Sequence, residues 1–136
     1  RQDIPLPPGE VRAALPFEDW LGYEEHPSKI HEGYFVALDV GQPIGVSSLW
    51  RALDEPDLLR TGLTGVRRAY RRRGIAFALK LRALEFARAQ PGIRRVITDN
   101  ESTNQPMLAI NEALGFAKQP AWIHHAAAWA DASARR

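Results

Sequence analysis

Apolar and polar residues change their rhythm several times along this chain, and each change marks an element. Residues 34–40, YFVALDV, suit an extended strand, 41–43 a turn, and residues 44–53, IGVSSLWRAL, its hairpin partner. Asp54 to Asp57 make a second turn and Leu58–Val66 a third strand, so three strands with short links predict an antiparallel meander. Gly65 inside the third strand suggests a bulge or a close backbone approach. The period then becomes helical. Ile75, Ala76, Leu79, Ala83, Phe86 and Ala87 fall on one arc, while Lys80, Arg82, Glu85 and Arg88 lie mostly elsewhere. No Pro or Gly interrupts this run before Pro91 and Gly92, and its Ala, Leu, Lys, Arg and Glu favour helix. After this crossover, residues 95–98 read as a short strand parallel to the third. Residues 104–114 read as a second helix and 117–126 as a last, edge strand.

The flanks are less regular. Residues 16–21, PFEDWL, suit a short helix, with Pro in the first turn, acids near the start, and Phe17, Trp20 and Leu21 on one side. Residues 24–33, EEHPSKIHEG, read as a polar loop. Residues 1–10 carry three prolines and a glycine and read as an extended lead-in; residues 127–136 form a tail. One domain over residues 1–136 is the natural expectation at this length.

Composition narrows the function classes. No apolar run approaches the ~20 residues that span a bilayer, and no signal peptide opens the chain, so no membrane role is expected. The chain has no cysteine, which removes disulfides, thiolate metal sites and a cysteine nucleophile, and fits a reducing, cytoplasmic setting. No metal site is expected either, since His124 and His125 point to opposite faces if they lie in a strand. Net charge is only +2, yet five arginines (Arg67, Arg68, Arg71, Arg72, Arg73) crowd the start of the long helix beside Gly74. Free N–H groups and the positive dipole end of a helix, aimed into a cationic turn, suit an anion carrying several phosphates. The same arginines suit a solvated loop or a polyanion site, but a local phosphate cradle fits their clustering better than nucleic-acid binding does.

Two motifs carry a resemblance. Arg71-x-x-Gly74-x-Ala76, just after a strand ending in Val66, resembles the acyl-coenzyme A signature of the GNAT superfamily of N-acetyltransferases. Asn104-Gln-Pro-Met107-Leu-Ala-Ile-Asn111-Glu-Ala-Leu-Gly115-Phe116 is similar to a later segment of that family, an Asn opening a helix that closes on Leu-Gly-Phe. The resemblance covers about residues 34–125. It implies an α/β (α+β) fold, a mixed and mostly antiparallel sheet flanked by helices. It also implies acetyl-coenzyme A as acyl donor and an amine, on a small molecule or a peptide, as acceptor. The family fold begins with one more strand and helix than residues 1–33 readily supply. Glu10 to Ala14 could be that strand; alternatively, DIPL followed by FEDW resembles the latter half of tandem two-domain acetyltransferases. The second reading is preferred, and with it the expectation that the N-terminal strand and helix are missing, that Arg1 is not a native start, and that an unsatisfied strand edge favours a homodimer.

What the resemblance implies for residues follows the motifs. The backbone N–H groups of Arg72, Arg73, Gly74, Ile75 and Ala76 would hold the pyrophosphate, with a side chain among Arg68, Arg71, Arg72 and Arg73 reaching the ribose phosphate. The Val66 N–H would face the thioester carbonyl as an oxyanion donor. Asn104 suits a helix N-cap, and the resemblance adds a contact to the pantetheine arm. Asn111 stands where many members carry a tyrosine that protonates the departing thiolate; an amide is no general acid but can donate a hydrogen bond. No base is assigned, and Glu24, Glu25, His26, His31, Glu32, Glu101 and His124 are candidates. The reading is an N-acetyltransferase acting without a covalent enzyme intermediate, since no Cys or nucleophile-elbow Ser is present. Its rival is a catalytically silent coenzyme A-binding domain.

Overall fold

The computed structural model describes residues 16–121 and 123. Within them the order is α1 (Phe17–Glu24), β1 (Lys29–Asp39), β2 (Gln42–Arg51), β3 (Leu58–Val66), a 3-10 turn (Arg68–Tyr70), α2 (Ile75–Ala89), β4 (Arg95–Ile97) and α3 (Gln105–Ala113). The four strands form one sheet in the order β1-β2-β3-β4, antiparallel except for the parallel β3–β4 pair.

β1 starts five residues earlier than its alternation suggests. Lys29 pairs with Trp50, and Ile30, 5% exposed, joins the core with Leu49, Leu59, Ala83 and Ala87. The polar loop expected over 24–33 is therefore half strand. Its single apolar side chain is buried among polar neighbours that show no alternation. Of the Gly65 expectation, the bulge is corrected, while a close backbone approach is present, since a Cβ on Gly45 would stand 3.3 Å from the Gly65 carbonyl oxygen. Ser47 pairs with Thr64 but Leu49 with Thr61, so the extra residue of the bulge lies at Gly62–Leu63, opposite Ser48. A Cβ on Gly62 would stand 2.2 Å from Trp50 Nε1 and 2.4 Å from Ser48 Oγ. Only glycine fits there. Residues 117–121 and 123 form no strand, and the rest of the strand expected over 117–126 lies outside the described residues, as do the lead-in, Glu10–Ala14 and the tail.

α2 packs on one face of the sheet. Leu79 and Ile75 lie against Gly45, and Phe86 meets Phe35 with ring centroids 6.0 Å apart. α1 meets the opposite face through Tyr23, whose ring lies edge-on to Trp50 at 6.3 Å. Phe17 and Leu21 are exposed rather than buried. Tyr34, Val36 and Leu38 alternate with Phe35 on β1 and so share the face turned away from α2, where they too are exposed.

At its other edge the sheet opens. β3 and β4 pair only from Leu58↔Arg95 to Arg60↔Ile97. The closed end is pinned by Arg95, which reaches Glu55 at 2.8 Å and Asp57 at 3.2 Å, while the N–H groups of Arg94 and Arg95 donate to the Asp57 carbonyl. Beyond Arg60 the strands part.

Candidate active site

The gap between the strands continues into a cavity of about 850 Å³, lined by the open half of β3, the arginine turn, the start of α2, residues 98–101 and the first turns of α3. Its entrance is built by backbone. Arg72 and Gly74 both have positive φ, 59° and 75°, while Arg71 is extended at −68°. Such changes of hand curl the chain so that successive N–H groups converge. Gly74 is also the N-cap of α2 and supplies no side-chain cap, so the N–H groups of the first turn have no side-chain partner. Ile75, Ala76 and Phe77 of that turn line the cavity.

The turn is tied to the sheet twice. Arg71 Nε donates to the Val66 carbonyl at 3.1 Å, and the Tyr70 hydroxyl donates to Asp39 Oδ2 at 2.9 Å. The Asp39 bond raises the Tyr70 pKa, which keeps the phenol a donor at neutral pH. Arg73 lies over the Tyr70 ring at 5.3 Å from its centroid. At the strand end, Arg67 N–H donates to Ile44 of β2 at 2.9 Å. Bonding directions alternate along an antiparallel ladder, so the Val66 N–H is turned away from β2, to the side on which β4 has already diverged.

Of the residues singled out in the sequence, Val66, Arg71, Arg72, Gly74, Ile75, Ala76 and Asn104 line the cavity, whereas Arg68 and Arg73 do not. Asn104 is the N-cap of α3, but through its backbone: its carbonyl accepts from Met107 and Leu108, both at 3.1 Å, and no side-chain cap forms. Asn111, 5% exposed, is outside the lining. Its Nδ2 donates to Asn100 Oδ1 at 2.6 Å, and Asn100 is the member of the pair that lines the cavity. Among the candidate bases, Glu101 lines the cavity, Glu24 is ion-paired with Lys29, and His26 Nδ1 accepts from the Ser28 N–H at 3.2 Å. Glu25, His31 and Glu32 do not line it, and His124 lies outside the described residues. Among the described residues no group of side chains suits a metal ion, and no helix is long and apolar enough to cross a membrane.

The residue that the sequence reading missed is Lys80. Assigned above to the polar side of α2, it is 3% exposed and lines the cavity floor. Its Nζ donates to Thr98 Oγ1 at 3.3 Å, Thr61 Oγ1 donates to the same oxygen at 2.7 Å, and the ammonium sits 5.5 Å from the Phe116 ring centroid. Burial pushes its pKa down to about 8. Spacing carried the missing signal, because 76, 79, 80, 83 and 87 share one helical stripe.

The model of the acetyltransferase (GNAT) family matches residues 3–116. The chain belongs to the GNAT family. Solved structures agree in fold. An aminoglycoside acetyltransferase from an uncultured soil metagenomic sample superposes with a TM-score of 0.64 at 20% identity, over 85% of this chain and 77% of that one. AAC(6')-Iy, in complex with the bisubstrate analog CoA-S-monomethyl-acetylneamine, gives 0.65 at 20% identity over 90% and 84%. The diaminobutyrate acetyltransferase EctA from Paenibacillus lautus, in complex with L-2,4-diaminobutyric acid and coenzyme A, gives 0.54 at 22% identity over 61% and 49%. Among curated protein sequences none is similar enough to count as a match. In this GNAT chain the mixed, mostly antiparallel sheet flanked by helices is the expected fold.

Proposed function

We propose that this chain binds acetyl-coenzyme A in the gap between β3 and β4 and passes the acetyl group directly to a primary amine. The observation that carries the reading is the entrance: an uncapped helix start and a turn of alternating hand, with Arg71 and Arg72 on a cavity that runs on to the Val66 N–H. The pyrophosphate binds at the converging N–H groups, since they, the dipole and the guanidinium groups all favour anionic oxygens. The pantetheine arm takes the place on β3 that β4 vacates after Arg60↔Ile97. The thioester carbonyl then meets the Val66 N–H, which stabilises the oxyanion as the amine attacks; one such donor contributes roughly 2.7–4 kcal/mol. The known structures that hold coenzyme A, its analog or diaminobutyrate support this reading of donor and acceptor class.

A second reading, a silent coenzyme A-binding domain, is favoured by one observation. Asn111, at the position of the family's acid, gives its amide to Asn100 and does not reach the cavity. Two measurements separate them. Gly74→Val places a β-branched residue at φ 75°, which costs ~1–2 kcal/mol and crowds the bound phosphates, so coenzyme A affinity should fall about ten-fold or more with the fold retained. Unchanged affinity would remove the phosphate site. Thiol release from acetyl-coenzyme A with a panel of amines then decides catalysis: a wild type that binds coenzyme A yet acetylates no amine is the silent domain.

A further inference from the structure

Lys80 is costly where it stands. Among the described residues no carboxylate lies within ion-pair distance of it. An ammonium has three N–H bonds to donate. One goes to the neutral Thr98 hydroxyl, the group lies over the Phe116 ring, and among the described residues nothing accepts from the other two. A leucine or methionine would fill the same stripe of α2 without burying a charge. What the buried cation lacks is a counter-charge, and the space it faces is the cavity whose floor it lines.

The missing partner is a monoanion. Lys80 brings a single positive charge beside two hydroxyls, Thr61 and Thr98, whereas the turn at the other end of the cleft brings Arg71 and Arg72. Several phosphates suit the turn; a carboxylate suits Lys80. Leu63, Phe77, Met107 and Ile110 line the same cavity, so the carboxylate has an apolar stem. The other charged and titratable groups of the cavity are Tyr70, Arg71 and Arg72 on the turn and Asp99 and Glu101 after β4; α3 presents none. Asp99 and Glu101 are exposed where Lys80 is buried, so beside β4 the cavity is positive on its floor and negative toward solvent. That order of charge fits a ligand with a carboxylate at its inner end and a cation at its outer end.

We propose that the floor of the cleft, Lys80 with Thr98, is a carboxylate-binding site, and that its ligand carries the carboxylate at the far end of an apolar chain from the group that reacts. The position of the reacting group rests on the acetyl-transfer reading of the cleft; the carboxylate site itself does not. Thr61, bonded to Thr98, is five residues from Val66 on β3, one of them the extra residue of the bulge. At ~3.3 Å per residue the two levels are on the order of 13–16 Å apart. Allowing ~3 Å for a hydrogen bond at each end and ~1.2 Å per extended bond, the chain between has roughly six to eight bonds. An α-amino acid is too short to reach both. The carboxylate can belong to the acceptor, as in an ω-amino acid or a short peptide, or to the donor, as in an ω-carboxyacyl thioester. Asp99 and Glu101 favour the acceptor. A bound carboxylate favours the ammonium, so affinity is greatest below the empty site's pKa of about 8 and falls above it.

The test begins on the full wild-type chain without coenzyme A, its lysines labelled with carbon-13; these are Lys29, Lys80 and Lys118. At pH 7, 8-aminooctanoate should shift the Lys80 signal and raise its titration above about 8, at concentrations where octylamine does neither. Thiol release from acetyl-coenzyme A should favour 8-aminooctanoate over octylamine, and over 4-aminobutyrate, by about ten-fold or more in kcat/KM. Lys80→Met should bring the ratio to octylamine close to one. If the carboxylate belongs to the donor, the ratio appears instead between suberoyl- and octanoyl-coenzyme A, with neamine as acceptor, and is lost in the same variant. Either ratio supports the site, and which one appears names the source. A Lys80 signal indifferent to 8-aminooctanoate, or shifted equally by octylamine, overturns the site, its spare N–H groups then being met by water alone. A carboxylate preference that Lys80→Met retains overturns it as well. Transfer that shows neither ratio overturns the placing of the carboxylate away from the reacting group. Absence of thiol release with every amine overturns the transfer reading alone, because the Lys80 titration decides the site without it. Should Lys80→Met not fold, that titration still decides.

Discussion

β3 has two sides with different lives. Toward β2 it is paired from Leu59 to Val66, interrupted only by the bulge at Gly62–Leu63. Toward β4 it is paired for three residues, then faces a cavity. The same nine residues thus serve as sheet interior on one side and as the wall of a binding cleft on the other. Backbone groups denied a strand partner must find another. The Val66 carbonyl finds Arg71, and the Val66 N–H is turned to the cleft. On the proposed reading, chemistry collects on the side where pairing stops, so damage to the two sides should be separable.

The largest expected effect is on the closed side. Gly62→Val drives a β-branched side chain into the Trp50 ring and the Ser48 hydroxyl, so Trp50 or the bulge must shift. Overpacking of this kind costs ~1–3 kcal/mol and should lower the urea midpoint, with Trp50 fluorescence reporting the shift. A midpoint unchanged within error would mean that the ladder at the bulge is softer than its geometry.

On the open side, changes should spare or even help stability. Lys80 has a folded pKa of about 8 against an ordinary 10.5, so between these values the unfolded chain binds more protons and stability rises with pH. Below about 8 both states are protonated and the folded chain carries the full cost of a buried charge. Lys80→Met should therefore raise stability at pH 7 by about 2 kcal/mol, with the gain shrinking from pH 8 to 10.5. Denaturant titrations of both proteins at pH 7 and 10 measure it. A gain that does not change with pH would reflect packing alone.

Asn111→Ala is smaller. It removes the hydrogen bond to the exposed Asn100, at ~0.5–1.5 kcal/mol of stability. Turnover should fall about two- to ten-fold through the displaced Asn100, with coenzyme A affinity nearly intact. An equal loss of affinity would make Asn100 a binding contact instead. Smallest in energy is the outer edge. Among the described residues β1 is an end strand with Tyr34, Val36 and Leu38 exposed, and weak self-association is expected in sedimentation at high concentration. A monomer at every concentration would show that the edge is protected.

Where the sequence was legible, residue type and spacing agreed. β3 was read to its terminal residues, and α2 and β4 each within a residue, because alternation, glycines and helix formers pointed the same way. The arginine turn was legible for the same reason, and Arg71, Arg72 and Gly74 line the cavity. The misses came where the two signals conflict. Lys80 has core spacing and a surface side chain, and type overruled spacing. Asn111 is the buried residue of α3, whereas the resemblance, which sets it where many members carry a tyrosine, implied a group in contact with the donor. Lys29 and Ile30 sit among polar residues, so the start of β1 had no pattern to show. Pairing partners such as Thr61 with Thr98, 37 residues apart, are products of the fold and have no local signature.

If the cleft binds acetyl-coenzyme A as proposed, the 3.1 Å bond from Arg71 to the Val66 carbonyl makes the phosphate turn and the acyl end of the cleft parts of a single ruler. An acyl donor gripped at its phosphates has its carbonyl carbon delivered at a set distance, so grip at one end is spent as position at the other. A donor trimmed at the nucleotide end should then suffer in turnover as well as in affinity. A donor with a longer acyl group meets the opposite limit, since its extra carbons must find room past Val66, on the acceptor's ground.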